Sequence, residues 1–377
     1  MPHTPHLREA FETWNRIQAM NSAQLHEEAA GCGLEQPDAA SAGELRRAIL
    51  VARLGRGEEL AGEGVLVTMP EGYGLLRSST RSFAEGADDL YVSPRLLRGA
   101  RLRPGQLVRG TLSAPRRDEK WIGLAHVASV CGTAPSRAAH AVRFDEAPAV
   151  LPSAPLGIGT CPVLTGLDAA FPLLRGQRLV FLLPHEARRL AWLQLLAHAV
   201  LGAGHGAELL CLLLDQPPEV PHEVRRALGA HGSTGWQVAA TTFDEPPARH
   251  VEVAAVALQQ AMRAAELGRD IVVLVDSLHA LVRAANQHLP HGGKILLPGL
   301  DSSAFMPARR LLAAARQLEG AGSVTVLALE SGPGASAVDQ AISAEFLERA
   351  QCVVRLAPDG SPELGARIDA ARCVFRP

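Results

Sequence analysis

A short apolar strand, a sharp break and a helix occupy residues 178–200 in the order found in nucleotide-binding α/β units. The apolar run ends at Leu183, and helical spacing of apolar residues resumes at Leu190. A working phosphate loop here reads G-x-x-x-x-G-K-[ST], because bare backbone N–H groups cradle phosphate while the Lys and the hydroxyl reach phosphate and metal. The residues in this place are Pro184, His185, Glu186, Ala187, Arg188 and Arg189. The segment keeps the frame of a phosphate loop and lacks its chemistry.

A carboxylate, Asp276, ends the apolar run Ile271–Val275. Such a run is typical of a parallel strand covered on both faces, and its carboxyl end lies at the edge of the sheet where ligands bind. Asp276 is therefore placed to orient a metal ion beside a nucleotide. The six cysteines are scattered without a C-x-x-C pair, so we predict no metal site built from them and expect reduced thiols in a cytosolic protein.

Both tyrosines of the chain, Tyr73 and Tyr91, lie in a region of short strands, and Trp121 opens the last of these strands. Stacking of a base on an aromatic ring contributes on the order of 1–3 kcal/mol and suits single-stranded nucleic acid. Aromatic residues at alternating strand positions also form barrel cores, so both roles stay open. Polar side chains able to read base edges accompany them: Arg77, Asp89 and Glu119. This combination favours binding of a single strand.

The composition is that of a globular protein, with 47% hydrophobic and 20% charged residues among 377. A net charge of −2 argues against general attraction to nucleic acid and leaves room for a local basic groove. Lys120 and Lys294 are the only lysines, so Arg carries nearly all the positive charge. No apolar run approaches the ~20 residues of a membrane span. We therefore expect a soluble, cytoplasmic protein without a membrane partner.

Four segments are predicted to position these residues. Helical spacing and a capping box at Ser41 and Glu44 predict a small helical domain over residues 1–58. Five short strands predict a barrel of the OB or cold-shock type over 59–131. A stretch rich in Pro, Ala, Gly and Ser over 132–165 is interpreted as a linker. Alternating strands and helices predict a RecA-like α/β P-loop NTPase core over 166–377.

Within this core we predict six strands and five helices. The strands are Arg178–Leu183, Glu208–Asp215, Gln237–Thr241, Ile271–Asp276, Ser323–Ala328 and Cys352–Leu356. The helices are Arg188–Ala203, Glu219–Leu228, Ala248–Glu266, Pro307–Leu318 and Val338–Leu347.

Several motifs in one order resemble the bacterial transcription termination factor Rho family, whose members are hexameric RNA-dependent ATPases and helicases. The resemblance covers roughly residues 20 to 376. In the barrel it includes Glu71–Ser78 and Asp88–Pro94. In the core it includes Thr242–Pro246, Asp270–Ser277, Gly293–Lys294, Gly299–Asp301, Pro307–Arg310 and Gly322–Ser323. The resemblance implies that RNA binds on the barrel and in the channel of a ring.

By residue-to-residue match, the primary RNA site implied by the resemblance comprises Tyr73, Leu75, Arg77, Asp89, Tyr91, Glu119 and Trp121. Leu75 stands where the family usually has a second Phe, so we expect weak or altered binding of single-stranded RNA. Lys294 matches a basic residue of the secondary site in the channel. Ala337 replaces a channel Lys, which removes a phosphate contact.

At the nucleotide site the resemblance exposes several losses. Gln216 stands at the position of the catalytic Glu, and an amide is no general base. Ala187 replaces a Gly, Arg188 replaces the Lys, and Arg189 replaces the hydroxyl that binds Mg²⁺. The family also continues beyond Pro377 through a region that supplies an arginine finger, whose loss costs orders of magnitude in phosphoryl transfer. We therefore expect no ATP hydrolysis and no cofactor.

Three functions stay open at this stage. The first is an RNA-binding, Rho-like regulator of termination without ATPase activity, acting through mixed rings with a full-length Rho, through competition for RNA, or on the transcription machinery. The second is a divergent active helicase, which alone would require ATP and Mg²⁺. The third is a structural or interaction module with neither activity. Monomer, homo-oligomer and hetero-oligomer are all compatible with the sequence.

Overall fold

The computed structural model describes residues 5–34, 40–116, 119–161, 164–165, 173–183, 189–204, 206–232, 235–290, 292–332, 334 and 336–355. The chain divides into two compact units, Met1–Ala141 and Val142–Pro377. The predicted residues Pro184–Arg188 lie outside the described part of the chain. No helix within the described ranges is long and apolar enough to cross a membrane.

The first unit opens with three helices: α1 (Pro5–Ala19), α2 (Ser22–Gly31) and α3 (Ala42–Gly55). The predicted capping box at the start of α3 is confirmed. The Glu44 carboxylate accepts the Ser41 N–H at 2.7 Å, and the Glu44 N–H donates to Ser41 Oγ at 3.3 Å. These reciprocal bonds satisfy two N–H groups that a helix start leaves without partners.

A closed five-stranded barrel follows, as the sequence predicts. Its strands are β1 (Ala61–Thr68), β2 (Gly74–Arg77), β3 (Leu90–Val92), β4 (Leu107–Ser113) and β5 (Ile122–Val130), in the spatial order β1-β2-β3-β5-β4. Helix α4 (Pro94–Gly99) leaves β3, and α5 (Pro135–Ala139) follows β5. At Gly110 the strands approach so closely that a Cβ would lie 1.9 Å from the carbonyl oxygen of His126, so only Gly fits there.

The second unit is built on a mainly parallel sheet. After the short β6 (Ala149–Val150), its strands are β7 (Arg178–Leu183), β8 (Glu208–Gln216), β9 (Trp236–Thr242), β10 (Asp270–Asp276), β13 (Arg316–Leu318), β14 (Ser323–Ser331) and β15 (Cys352–Arg355). The parallel order is β15-β7-β14-β10-β8-β9, with β13 and β6 antiparallel beside β14. A small hairpin is formed by β11 (Ile295–Leu297) and β12 (Leu300–Asp301), which come between β10 and β13 in the sequence.

Helices connect these strands: α6 (Arg189–Gly202), α7 (Glu219–Ala230), α8 (Pro247–Ala265), α9 (Leu278–His288), α10 (Met306–Ala313) and α11 (Ala337–Arg349). Connections from β7 to β8 to β9 run in one direction across the sheet, and those from β9 to β10 to β14 to β15 run back. Since crossovers are right-handed, α6 and α7 cover one face and α8, α9 and α11 cover the other. The predicted RecA-like arrangement is thereby observed.

Two predictions about local structure need correction. The predicted helix Pro307–Leu318 ends at Ala313, and Arg316–Leu318 form β13 instead. Tertiary pairing overrides the helical pattern there, because Arg316 and Gln317 pair with the first residues of β14. Helix α9 was not predicted, although Ser277 caps it by accepting the Ala280 N–H at 3.2 Å.

The stretch interpreted as a linker contains regular structure. Helix α5 lies within it, and β6 adds to the sheet by pairing with β13. The division of the chain at residues 58, 131 and 165 stays a prediction.

Candidate RNA-binding and nucleotide sites

Three aromatic rings meet on the barrel, and we call Tyr73, Tyr91 and Trp121 the aromatic shelf. Their ring centroids are separated by 5.4 Å for Tyr73 and Tyr91, 5.7 Å for Tyr73 and Trp121, and 6.2 Å for Tyr91 and Trp121. Barrel topology brings them together, because β3 lies between β2 and β5 and each ring comes from one of these strands or the residue before it. All three side chains are half-buried, so each presents part of its surface to solvent. The shelf is a platform on which bases can stack.

Lys120 adds a cation to the shelf. Its Nζ lies 4.9 Å from the centroid of the Trp121 ring, within the range of a cation–π contact. The sequence reasoning did not single out this residue. The available signal was its position beside Trp121 in a chain with only two lysines.

Three of the predicted RNA-binding residues are buried. Leu75, Arg77 and Asp89 are 1%, 5% and 1% exposed. Arg77 Nε lies 3.9 Å from the Asp89 carboxylate, which also accepts Arg81 Nη2 at 3.0 Å. Two arginines thus pair with the buried Asp89 carboxylate. The prediction that Arg77 and Asp89 contact RNA stays untested, and the structure gives them packing and charge-pairing roles.

Asp88 continues this buried network to the helical segment. Its carboxylate lies 2.8 Å from Arg81 Nη1 and accepts Arg46 Nε of α3 at 3.0 Å. Burial raises the pKa of the Asp89 carboxyl to about 6, against the opposing effects of the Gly86 N–H and the Arg81 guanidinium. The network fixes the chain just before β3, and therefore fixes Tyr91 of the shelf.

The other predicted RNA-binding residues are exposed. The Glu119 carboxylate accepts the Arg116 N–H at 2.9 Å, next to Trp121 in sequence. In the second unit, Lys294 lies just before β11, and Ile295 beside it is 72% exposed. Ala337 opens α11, where Ser336 supplies the cap. The channel position predicted to have lost its Lys is therefore at a helix start.

The predicted nucleotide-site residue Asp276 ends β10 at the carboxyl edge of the sheet, where Ser331 ends β14. Arg189, the first residue of α6, directs its guanidinium to both strands. Its Nε donates to Asp276 Oδ1 at 2.5 Å, its Nη1 to Ser331 Oγ at 2.7 Å, and its Nη2 to the Leu329 carbonyl oxygen at 3.0 Å. The planar group is thus held by three acceptors, and Asp276 is only 1% exposed.

The side chain of Gln216, at the end of β8, is hydrogen-bonded to the backbone. Its Nε2 donates to the Leu214 carbonyl oxygen at 3.0 Å and to the Asp276 carbonyl oxygen at 3.2 Å. The side chain is buried and joins two neighbouring strands. It therefore acts as a structural cross-link at the position where the family's general base is expected.

The described residues at this edge of the sheet do not fit Mg²⁺. A magnesium ion requires oxygen ligands in near-octahedral geometry, and the carboxylate placed to orient it is paired with a guanidinium. Arg189 itself has only donors and cannot ligate a cation. No cluster of three or more His, Cys, Asp or Glu side chains able to hold a metal occurs in the described residues.

A cleft of about 530 Å³ opens beside Arg189, lined in part by His279, Arg283 and Asp339. His279 Nδ1 lies 2.7 Å from Glu330 Oε2, and its Nε2 lies 3.1 Å from Ser343 Oγ. Burial lowers the pKa of His279, but the Glu330 carboxylate outweighs that effect and the net pKa is raised. The sequence reasoning missed this network, because its members come from α9, β14 and α11.

The chain is similar to known proteins over most of its length. A family model described as "Rho termination factor, RNA-binding domain" matches residues 62–136. The transcription termination factor Rho of Pseudomonas aeruginosa is 34% identical over 330 residues, which is 86% of this chain and 77% of that protein. Rho of Cereibacter sphaeroides is 33% identical over 88% of this chain and 78% of its own length. Rho of Haemophilus influenzae is 35% identical over 79% of this chain and 71% of its own length.

Proposed function

The chain belongs to the transcription termination factor Rho family, and from that premise we propose that it is an RNA-binding regulator of termination that does not hydrolyse ATP. RNA is bound at the aromatic shelf. The α/β unit serves as a scaffold for contacts with RNA and with other subunits.

The contact between Arg189 and Asp276 carries the proposal about ATP. Binding of Mg²⁺ and triphosphate at this edge of the sheet requires the Asp276 carboxylate to face the metal. Arg189 would have to leave, because its Nε donates to the carboxylate that the metal would need. The guanidinium also donates to Ser331 and to the Leu329 carbonyl, so its departure would break two further bonds.

Gln216 supports the same conclusion independently. Hydrolysis requires a group that accepts a proton from the attacking water. The Gln216 amide has no such basicity, and its Nε2 donates to two backbone oxygens. A variant with a hydroxyl residue at position 189 would therefore still lack a general base at position 216, and a variant with Glu at position 216 would still lack the metal-binding hydroxyl.

The shelf supports RNA binding. Three rings within stacking distance of one another, with the Lys120 ammonium over Trp121, combine base stacking with attraction for phosphate. Leu75 is fully buried, so it adds no stacking surface. The site is accordingly smaller than one with an additional exposed aromatic ring.

Two measurements on the purified full chain test the proposal. Fluorescence anisotropy with a labelled oligocytidylate is expected to show salt-dependent binding that Trp121→Ala weakens. Phosphate release with MgATP and the same RNA is expected to equal that of Asp276→Asn. ATP hydrolysis that depends on RNA and disappears in Asp276→Asn would contradict the proposal and support a divergent helicase. Binding that is unaffected by changes in the shelf would instead support an interaction module.

A further inference from the structure

An apolar groove runs along one side of α8 in the second unit. It has a volume of about 750 Å³, with α8 forming one wall, Met306, Pro307 and Leu311 of α10 forming the other, and Leu281 of α9 contributing to the lining. Met306 is 43% exposed at its margin. The groove lies away from the nucleotide cleft, since the two share no lining residue.

The wall formed by α8 has a second apolar face. Val253, Ala257, Ala261 and Ala264 are buried and account for the packing of α8 on the sheet. On the groove side, Val251, Ala255, Leu258 and Met262 follow one another at intervals of four, three and four residues, and all retain solvent exposure. This spacing is that of the a and d positions of a heptad, which pack against another helix. The stripe covers 12 residues and is about 17 Å long at 1.5 Å per residue.

Cations without carboxylate partners border the groove. Most described arginines of this unit pair with an acidic side chain, among them Arg175, Arg249, Arg263, Arg269, Arg283 and Arg309. Arg310 and Arg316 line the groove, and neither has a carboxylate within salt-bridge distance among the described residues. Arg316 lies over the Phe144 ring at 4.7 Å, and its Nε and Nη2 donate to the Ala313 carbonyl oxygen. Among the described lining residues the single acid is Asp145, which is exposed.

A third arginine strengthens the positive charge beside Arg316. Arg178 begins β7, and its Nε donates to the Arg349 carbonyl oxygen at 2.6 Å. Burial together with the neighbouring Arg316 and Arg349 lowers the pKa of Arg178. An incoming carboxylate would relieve this mutual repulsion, so the groove margin favours an anionic partner.

We propose that this groove binds one amphipathic α-helix of a protein partner, with apolar residues at a and d positions and Glu or Asp beside them. The stripe on α8 supplies the apolar contact, and Arg310 and Arg316 pair with the flanking carboxylates. A nucleic-acid strand fits less well, because most of the groove lining consists of aliphatic side chains, which have no hydrogen-bond donor for phosphate. The surface provides a means of recruiting another protein without ATP.

Two synthetic peptides and the full chain test this site. One peptide has three heptads with Leu at a and d and Glu at e and g, where Glu repulsion opposes self-association. The other has Lys at e and g. Fluorescence anisotropy is expected to show that the Glu peptide binds at least about tenfold more tightly than the Lys peptide. Equal affinity of the two peptides would overturn the proposed charge complementarity.

Three variants locate the binding surface. Leu258→Asp is expected to abolish binding of the Glu peptide, and Arg310→Ala combined with Arg316→Ala is expected to remove the preference for Glu over Lys. Arg226→Ala, on α7 of the opposite face, is the control and should change nothing. Far-ultraviolet circular dichroism and oligocytidylate binding confirm that each variant is folded. If Leu258→Asp leaves peptide binding intact, or instead dissociates a self-associated form of the free protein in sedimentation, the groove is not this docking site.

Discussion

The guanidinium of Arg189 lies 2.5 Å from the carboxylate of Asp276, with Nε as the donor. The two residues belong to α6 and β10, and the contact joins the beginning of the helix to the end of a central strand. A cation supplied by the protein thus neutralises the carboxylate that a nucleotide-bound metal would need. Asp276 is thereby part of the internal bonding of the second unit.

Removal of Arg189 should destabilise the second unit. In Arg189→Ala the buried Asp276 carboxylate loses its cation, and we expect the free energy of unfolding to fall by about 3–5 kcal/mol in urea titrations. Adding Asp276→Asn should recover part of that loss, because an amide tolerates burial better than an unpaired carboxylate. Arg226→Ala, which removes an exposed pair with Glu223, should change stability by less than about 1 kcal/mol. A loss as small as that of the control would show that the contact contributes little.

Trp121 should contribute a large part of the affinity for single-stranded RNA. Trp121→Ala removes a ring that stacks on Tyr91 and presents a face to bases, and we expect a loss of about 1–3 kcal/mol in binding of oligocytidylate. Phe243, which is 62% exposed in the second unit, offers a matched control. Phe243→Ala should leave RNA affinity unchanged, and an equal loss in both variants would point to nonspecific effects.

Lys120 should contribute through charge. Lys120→Ala is expected to reduce the slope of log affinity against log salt concentration by about 1, because one phosphate contact is lost. The loss should be similar for oligocytidylate and oligoadenylate. Lys120→Arg keeps the charge and should retain the slope. An unchanged slope in Lys120→Ala would show that the Lys120 ammonium does not contact RNA phosphate.

Asp89 should give the first unit a measurable pH dependence. Its pKa is about 6 in the folded protein and 3.8 in the reference state, so protonation favours the folded state. This contribution is fully present below pH 3.8 and is lost as the pH rises through about 6. Relative to Asp89→Asn, the wild type should gain roughly 2–3 kcal/mol of unfolding free energy as the pH falls across that interval. Parallel pH profiles of the two proteins would contradict the assignment.

His279 should act in the same direction at higher pH. Because its folded pKa is raised above the reference value of 6.5, its stabilising charge is fully present below 6.5 and is lost as the pH rises through the folded pKa. The thermal midpoint of the second unit should therefore fall on passing from mildly acidic to mildly alkaline buffer. His279→Gln should flatten that decline, whereas replacing the exposed His222 of α7 should not. If the thermal midpoint of His279→Gln falls as much as that of the wild type, other titratable groups cause the decline.

Periodicity predicted much of the fold. Alternating residues located the five barrel strands, and continuous apolar runs such as Ile271–Val275 located the parallel strands within about three residues at each end. The helix predicted through Leu318 was wrong beyond Ala313, because pairing of Arg316 with β14 decides the local structure. The sequence of one segment does not show which strand it will pair with. Helix α9 was missed although its cap was present in the sequence.

The sites were predictable to different degrees. Residue types indicated the aromatic shelf, and barrel order then brings its rings together. The identity of residue 189 indicated the loss of a hydroxyl, but its bonds to Asp276, Leu329 and Ser331 depend on three separate elements. Burial of Asp89 and the contact of His279 with Glu330 likewise arise from tertiary packing. Sequence patterns therefore identified which groups are present, and the fold determines which groups they meet.

The three bonds of Arg189 also restrict how the chain can change over generations. A change of Arg189 to a small hydroxyl residue, which the proposed function makes a condition for binding Mg²⁺ and nucleotide, removes contacts to two strands at once. The intermediate protein would be less stable and would still have Gln216 in place of a base. Under the proposed function, replacing Arg189 therefore lowers stability before it can bring any gain in nucleotide binding.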